Sequence, residues 1–268
     1  MVFAHRDSDM TDRRSTPALT TALVRPPGAS FAQTLSHSPA APDVRLAQAQ
    51  HAEYCQALAA AGLAVEALPP DERYPDSCFV QDTAVVVGGR AVIGRLAAAS
   101  RQGEEETVAD RLASLFPADR IIPPGTLEGG DVLILPDRII VGRSGRTNAA
   151  GVSQLAVALA PLGIPVYSVP VGSSLHLLTV MTYLGHNVLL AVEDAPLPAV
   201  LTDLDVVRVP PTEAYAANAL AANGCVILPA GYPATAAALC GRGFTVLPAP
   251  MSEFATADGG VTCLSLVW

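Results

Sequence analysis

Lysine is missing from this chain: all sixteen basic residues among its 268 are arginine. With alanine abundant, that reads as coding bias rather than function. Charge is also scarce, at 15% of residues, and sums to −9. A nucleic-acid surface needs a basic face, so that class is excluded, whereas a small cationic ligand suits the field. No apolar run approaches the ~18 residues of a membrane span. Met1 to Arg14 carries charge and no apolar core region, so no secretory signal is expected. The five cysteines (Cys55, Cys78, Cys225, Cys240, Cys263) are odd in number, far apart and without CxxC spacing. Reduced thiols in a cytoplasmic protein are expected, with no disulfide framework and no metal site.

Half of the residues are apolar, which suffices for one sizeable core; domains split only beyond roughly 250–300 residues. Residues 1–19 read as a disordered extension and 20–268 as one domain. Thr21–Val24 reads as a strand, followed by Pro26-Pro27-Gly28 and a polar segment through His37 in which Phe31 or Leu35 would serve as a lid or lie idle. Asp43 to Gly62 has helical periodicity, and Ala64–Leu68 is β-prone.

Next comes a recurrent unit. Phe79–Val87 and Ala91–Gly94 flank Gly88-Gly89, a hairpin signal because glycine supplies the positive-φ turn. The pattern returns at Val132–Leu135 with Ile139–Gly142, at Val180–Leu184 with Val188–Val192, and at Asn218–Ala222 with Cys225–Leu228. A fifth copy pairs Cys263–Trp268 with Thr21–Val24. Helical segments are expected between copies at Glu104–Phe116, Ala149–Leu162, Ala195–Leu204 and Ala234–Gly241. Such spacing predicts an α/β fold of five repeated blades, a propeller with its site on the central axis.

Polar residues cluster where these hairpins begin: Asp76, Gln81 and Asp82, then Glu128 and Asp131, then His176, then Asp258 and Cys263. Arg95 and Arg146 follow the second strands of two copies. A nucleophilic cysteine needs a histidine as base and proton shuttle, and a carboxylate to orient it. Carboxylates also suit a cationic substrate, and two arginines suit a carboxylate. Each residue has a plainer reading beside the chemical one. Cys263 would be a small buried hydrophobe, His176 a core histidine among leucines, Asp76 and Glu128 turn residues, and Arg95 and Arg146 solvated charges. Asp131 reads as structural.

The segments Pro75–Val85, Thr126–Leu133, Val141–Asn148, Leu175-His176-Leu177 and Asp258–Cys263 resemble the dimethylarginine dimethylaminohydrolase family, in register from about Thr21 to Trp268. The resemblance implies a five-bladed ββαβ propeller of the guanidino-modifying superfamily, a fold that also occurs in a ribosome-associated initiation factor. It implies Cys263 as nucleophile, His176 as general acid and base, and Glu128 as the carboxylate that orients it. Asp76 and Asp82 match positions that line the guanidinium, Arg95 and Arg146 those that hold the amino-acid end, and Ala257 and Asp258 those beside the nucleophile. Gln81 departs from the family, which usually has glutamate there. With its carbonyl turned to the ligand, Gln81→Glu is expected to tighten binding of methylated arginine. The implied reaction releases citrulline and a methylamine without cofactor or metal, in a monomer or homodimer. Two alternatives stand beside it: a deiminase-like hydrolase of another guanidino compound, and a non-catalytic propeller that binds a partner.

Overall fold

The computed structural model describes residues 18–268. The extension expected over 1–19 therefore lies outside the described residues, apart from Ala18 and Leu19. Leu19 is not loose: its N–H donates to Asn223 Oδ1 at 3.0 Å, and Asn223 Nδ2 donates back to its carbonyl at 2.9 Å.

Five three-stranded sheets repeat one connectivity: an antiparallel hairpin, a crossover, then a third strand parallel to the second. The first joins the chain ends, with β1 (Thr21–Val24) central, β2 (Ala64–Ala67) on one side and the C-terminal strand Ser265–Val267 on the other. Helix α1 (Val44–Ala60) makes its crossover and starts where the Asp43 carboxylate accepts the Arg45 and Leu46 N–H groups. The second sheet holds β3 (Ala84–Val87), β4 (Arg90–Ile93) and β5 (Ala118–Arg120), crossed by α2 (Glu105–Ala113). The third holds β6 (Val132–Ile134), β7 (Ile139–Arg143) and β8 (Val166–Pro170), crossed by α3 (Ala149–Leu159). The fourth holds β9 (Met181–Gly185), β10 (Val188–Val192) and β11 (Asp205–Val209). The fifth holds β12 (Leu220–Ala222), β13 (Cys225–Pro229) and β14 (Thr245–Ala249), crossed by α4 (Pro233–Cys240). After it come α5 (Ser252–Thr256) and β15, the Ser265–Val267 strand of the first sheet.

The hairpins expected from sequence are all present. One crossover differs: the helix expected over Ala195–Leu204 is a single 3₁₀ turn, Ala199–Leu201. Pro196 and Pro198 remove two amide donors there, which a short helix cannot absorb.

The strand starts differ in a way that matters for the site. Phe79–Thr83 and Cys263 were expected in extended strands. Instead a 3₁₀ turn precedes each hairpin: Val80–Thr83, Gly129–Asp131, Leu177–Thr179, Pro211–Ala217 and Val261–Leu264. Local bonds stabilise the tight form, as when the Thr83 hydroxyl donates to the Val80 carbonyl at 2.6 Å. Successive turns touch one another around the molecule. Asn218 closes the ring, its amide donating to Leu178 O (3.0 Å) and Thr262 Oγ1 (2.9 Å) and accepting from Thr262 N (2.9 Å). Apolar side chains fill the spaces between neighbouring sheets, so the cores are peripheral and the polar residues meet at the centre. No helix among the described residues is long and apolar enough to cross a membrane.

Candidate active site

A cavity of about 240 Å³ opens where the turns converge, lined by Leu35, Ser36, His37, Asp76, Phe79, Asp82, Arg101, Arg146, Leu175, His176, Ala257, Asp258, Gly259 and Cys263. Behind this wall, completely buried, sits Glu128. It accepts the His176 imidazole through Oε2, at 2.9 Å from Nε2, and the Ala97 N–H through Oε1 at 3.0 Å. Arg146 Nη1 approaches the same Oε1 at 3.9 Å. Glycines make the approach possible. A Cβ on Gly130 would stand 2.6 Å from His176 Nδ1, and one on Gly129 would stand 2.0 Å from the Gln81 carbonyl. With Nε2 engaged by Glu128, Nδ1 is the ring nitrogen that makes no hydrogen bond among the described residues.

Asp82 completes the cluster. Its Oδ1 accepts Gly130 N–H at 3.2 Å and lies 4.0 Å from His176 Nε2, while Oδ2 accepts Arg101 Nη1 at 2.9 Å. Burial disfavours the imidazolium of His176, but Asp82, the Glu128 hydrogen bond and Asp131 outweigh it and hold the group above its ordinary value. Burial works against the Asp82 carboxylate too, and His176 and Arg101 reverse it, so that group sits below its usual range. Asp131 has the structural role expected: it accepts Leu177 N–H at 3.0 Å and the Ser144 hydroxyl at 2.6 Å, fixing the backbone beside His176.

Cys263 is half-buried on the last turn, where its sulfur accepts the Gly260 N–H at 3.3 Å. Burial first, then the Asp82 charge, push its thiol up to about 12. At rest Cys263 is therefore a thiol, and a cation in the cavity is what would favour the thiolate. Cys55, pushed up to about 11 by burial, and the wholly buried Cys78 have no such cavity before them.

Asp82, Glu128 and His176 each offer an atom within 4.8 Å of the others, a spacing a metal ion could use. Their oxygens already accept Arg101, Gly130, Ala97 and His176.

The chain matches the family model described as arginine deiminase over residues 72–195. It is 38% identical over 247 residues to N(G),N(G)-dimethylarginine dimethylaminohydrolase of Pseudomonas aeruginosa, covering 91% of this chain and 97% of that one. The chain belongs to the dimethylarginine dimethylaminohydrolase family. A crystal structure of the Pseudomonas aeruginosa enzyme, a cysteine-to-serine variant with citrulline bound, superposes with a TM-score of 0.91 at 36% identity, over 94% of this chain and all of that one. A second, of a dimethylarginine dimethylaminohydrolase variant as its adduct with S-methyl-L-thiocitrulline, gives a TM-score of 0.90 at 36% identity, over 93% and 100%.

Within this family frame, Cys263, His176, Asp76, Asp82, Arg146, Ala257 and Asp258 all line the cavity, and Glu128 stands directly behind His176. Two expected residues are elsewhere. Arg95 forms an antiparallel bridge with Leu127, and its guanidinium donates to Gly125 O at 3.4 Å, away from the cavity. The bridge fixes its backbone, so strand alternation decides where the side chain points. Gln81 is also off the wall. Its Nε2 donates to Gly129 O at 2.8 Å, and its Oε1 is buried without a partner. An ionised glutamate could not make this donation to the carbonyl. In this geometry a Gln81→Glu carboxylate would not line the cavity, which gives it no contact through which to tighten binding.

Arg101 was missed. It lines the cavity from the 3₁₀ turn Ala99–Arg101 and is nearly fully buried. The signal was available as Arg101-Gln102-Gly103-Glu104, an i, i+3 ion pair in a chain poor in charge. Of the two lid candidates, Phe31 is buried against Phe79 and Phe254, whereas Leu35 reaches the cavity. The segment is tied down by side chains that line the cavity. Asp76 accepts the Thr34 hydroxyl (2.6 Å) and Leu35 N–H (3.2 Å), and Asp258 Oδ2 lies 2.8 Å from both the backbone nitrogen and Nδ1 of His37.

Proposed function

We propose that the protein hydrolyses Nω-methylated arginine to citrulline and methylamine or dimethylamine, through a covalent S-alkylthiouronium on Cys263. One observation carries this reading: Cys263 and His176 face a single cavity whose depth holds Asp82, with Glu128 fixing the histidine from behind. A guanidinium entering beside Asp76 and Asp82 brings positive charge toward the thiol and lowers its pKa, so that the thiol proton is lost to water and is taken up in the end by the released amine. The thiolate then attacks the guanidino carbon to form a tetrahedral adduct. Its collapse breaks the C–N bond, the electron pair leaves with the amine, and protonated His176 supplies the proton. Neutral His176 next takes a proton from water as the water attacks the thiouronium carbon. Citrulline forms as the adduct's hydroxyl proton passes to the departing Cys263 sulfur, which returns the site to the thiol with His176 protonated.

Asp82 and Arg101 carry the substrate's charge balance, Arg146 and Asp258 flank the amino-acid end, and Leu35 to His37 close over it. The match to an arginine deiminase family model favours arginine itself as the second substrate class to compare. The test is citrulline release from dimethylarginine, monomethylarginine and arginine side by side. Turnover of the methylated compounds is expected to dominate. Dominant turnover of arginine would favour the deiminase reading, and no citrulline from any of the three would favour a binding module.

A further inference from the structure

Glu104 is almost fully buried next to the active site, and the mechanism above does not use it. It receives three contacts from one guanidinium: Arg101 Nε donates to Oε1 at 3.2 Å and to Oε2 at 3.1 Å, and Nη2 donates to Oε2 at 2.9 Å. The remaining nitrogen, Nη1, donates to Asp82 Oδ2 at 2.9 Å. Arg101 is thereby shared between a carboxylate that lines the cavity and one that does not. The three groups sum to one negative charge. Glu104 draws on the guanidinium with two of its nitrogens, so Asp82 faces the cavity only partly compensated. Without Glu104, the full charge of Arg101 would fall on Asp82, and the floor of the cavity would be neutral.

We propose that Glu104 is a positioning residue for charge selection: by neutralising Arg101 from behind, it keeps Asp82 anionic toward the cavity and sets the preference for a cationic guanidino substrate over the neutral ureido product. This rests on the methylarginine reading given above. Substrate and citrulline share the same amino-acid end and differ in the charge of the other end. The ratio of their affinities therefore isolates the electrostatic role from a general loosening of the site. Product release gains from the same arrangement, because the charge that attracts the substrate disappears in the reaction.

Burial, opposed by Arg101, pushes the Glu104 carboxyl up to about 7. Its charge is fully present at pH 8.5 and largely lost at pH 6. The charged and titratable groups facing it are Arg101 on the same turn, Asp82 on the Val80–Thr83 turn, Asp76 and Cys78 in the loop before it, and Arg25 after β1. His176, which lies beyond Asp82 and is held above its ordinary value, also carries titratable charge near the cavity and has to be removed from the comparison.

The experiment measures KM and kcat for dimethylarginine and the inhibition constant of citrulline at pH 8.5, in the wild type, Glu104→Gln and Glu104→Asp. Glu104→Gln keeps the shape and removes the charge. It is expected to raise KM about tenfold, to change the citrulline constant less than threefold, and to leave kcat within about threefold. Glu104→Asp, which restores the charge, is expected to recover most of the discrimination. Equal losses for both ligands, or no change in either, would overturn the proposal. A wild type that releases no citrulline would instead sink the functional reading, so the two failures are separable. Should Glu104→Gln not fold, calorimetric binding of both ligands to His176→Gln decides, since this variant is expected to turn over at least 10²-fold more slowly and has no imidazole to titrate at that position. The preference for dimethylarginine over citrulline should fall about tenfold from pH 8.5 to pH 6, and a flat ratio would overturn the proposal.

Discussion

The protonation state of Cys263 offers the sharpest test of the site. Burial and the Asp82 charge hold the thiol at about 12 in the empty cavity. At pH 8 roughly one molecule in 10⁴ then carries a thiolate, against about a quarter for a free cysteine of pKa near 8.5. The rarer thiolate is the better nucleophile, by roughly 40-fold over 3.5 units at a Brønsted slope of about 0.45. Neutral iodoacetamide should therefore alkylate Cys263 roughly 30–100-fold more slowly than free cysteine, with a rate that climbs tenfold per unit through pH 10. A cation about 4 Å from the sulfur contributes about 4 kcal/mol at an effective dielectric of 20. That is about three pKa units, which brings the thiol near 9. A small amidine-bearing electrophile, which carries that charge with it, should accordingly react far faster at pH 7–8 and level off near pH 9. The assay is the pH dependence of inactivation by each reagent, with the adduct mapped by mass spectrometry. A pH-independent fast rate with iodoacetamide below pH 8 would mean a resting thiolate paired with His176, and the substrate-assisted argument would fail. Preferential labelling of Cys55, Cys225 or Cys240 would remove Cys263 from the mechanism altogether.

His176→Gln should lower kcat at least 10²-fold, because one imidazole serves both half-reactions, whereas Glu128→Gln should cost less since it removes orientation and charge but not the shuttle; near-normal turnover in His176→Gln would refute the assignment. Gln81→Glu should destabilise the fold by about 1–3 kcal/mol, because a carboxylate would oppose the Gly129 carbonyl where an amide now donates. A thermal melt should show a loss of roughly 2–10 °C, and an unchanged midpoint with tighter substrate binding would restore the charge-based reading of this position. His37→Ala removes a side-chain tether between the lid and Asp258 at the surface, so KM should change by no more than about fivefold with kcat retained; a collapse of kcat would give His37 a place in the chemistry.

Some of this protein was written in local pattern. Paired apolar runs around Gly88-Gly89, Pro136-Asp137, His186-Asn187 and Asn223-Gly224 specify hairpins because turn chemistry acts over a few residues, and all four hairpins are present. Their spacing then specified fivefold repetition. The candidate trio was also legible, since Cys263, His176 and Glu128 each fall at the start of a repeat, and a ring of repeats brings such positions together. The missing fourth helix could have been read from Pro196 and Pro198.

Tertiary structure decided what depends on a side chain's direction. Arg95 and Arg101 are six positions apart and chemically identical, yet the Arg95–Leu127 bridge turns one away while Glu104 and Asp82 draw the other to the cavity. Gln81 and Asp82 are adjacent, but the 3₁₀ turn sends one to the Gly129 carbonyl and the other to the floor of the site. An extended reading of Phe79–Thr83 could not separate them, because turn and strand differ by hydrogen bonds of one or two residues. The charge each group carries was likewise undecided until burial and partners were known. Sequence alone names the carboxylates, but only their packing around Arg101 and His176 determines which of them faces a ligand as an anion.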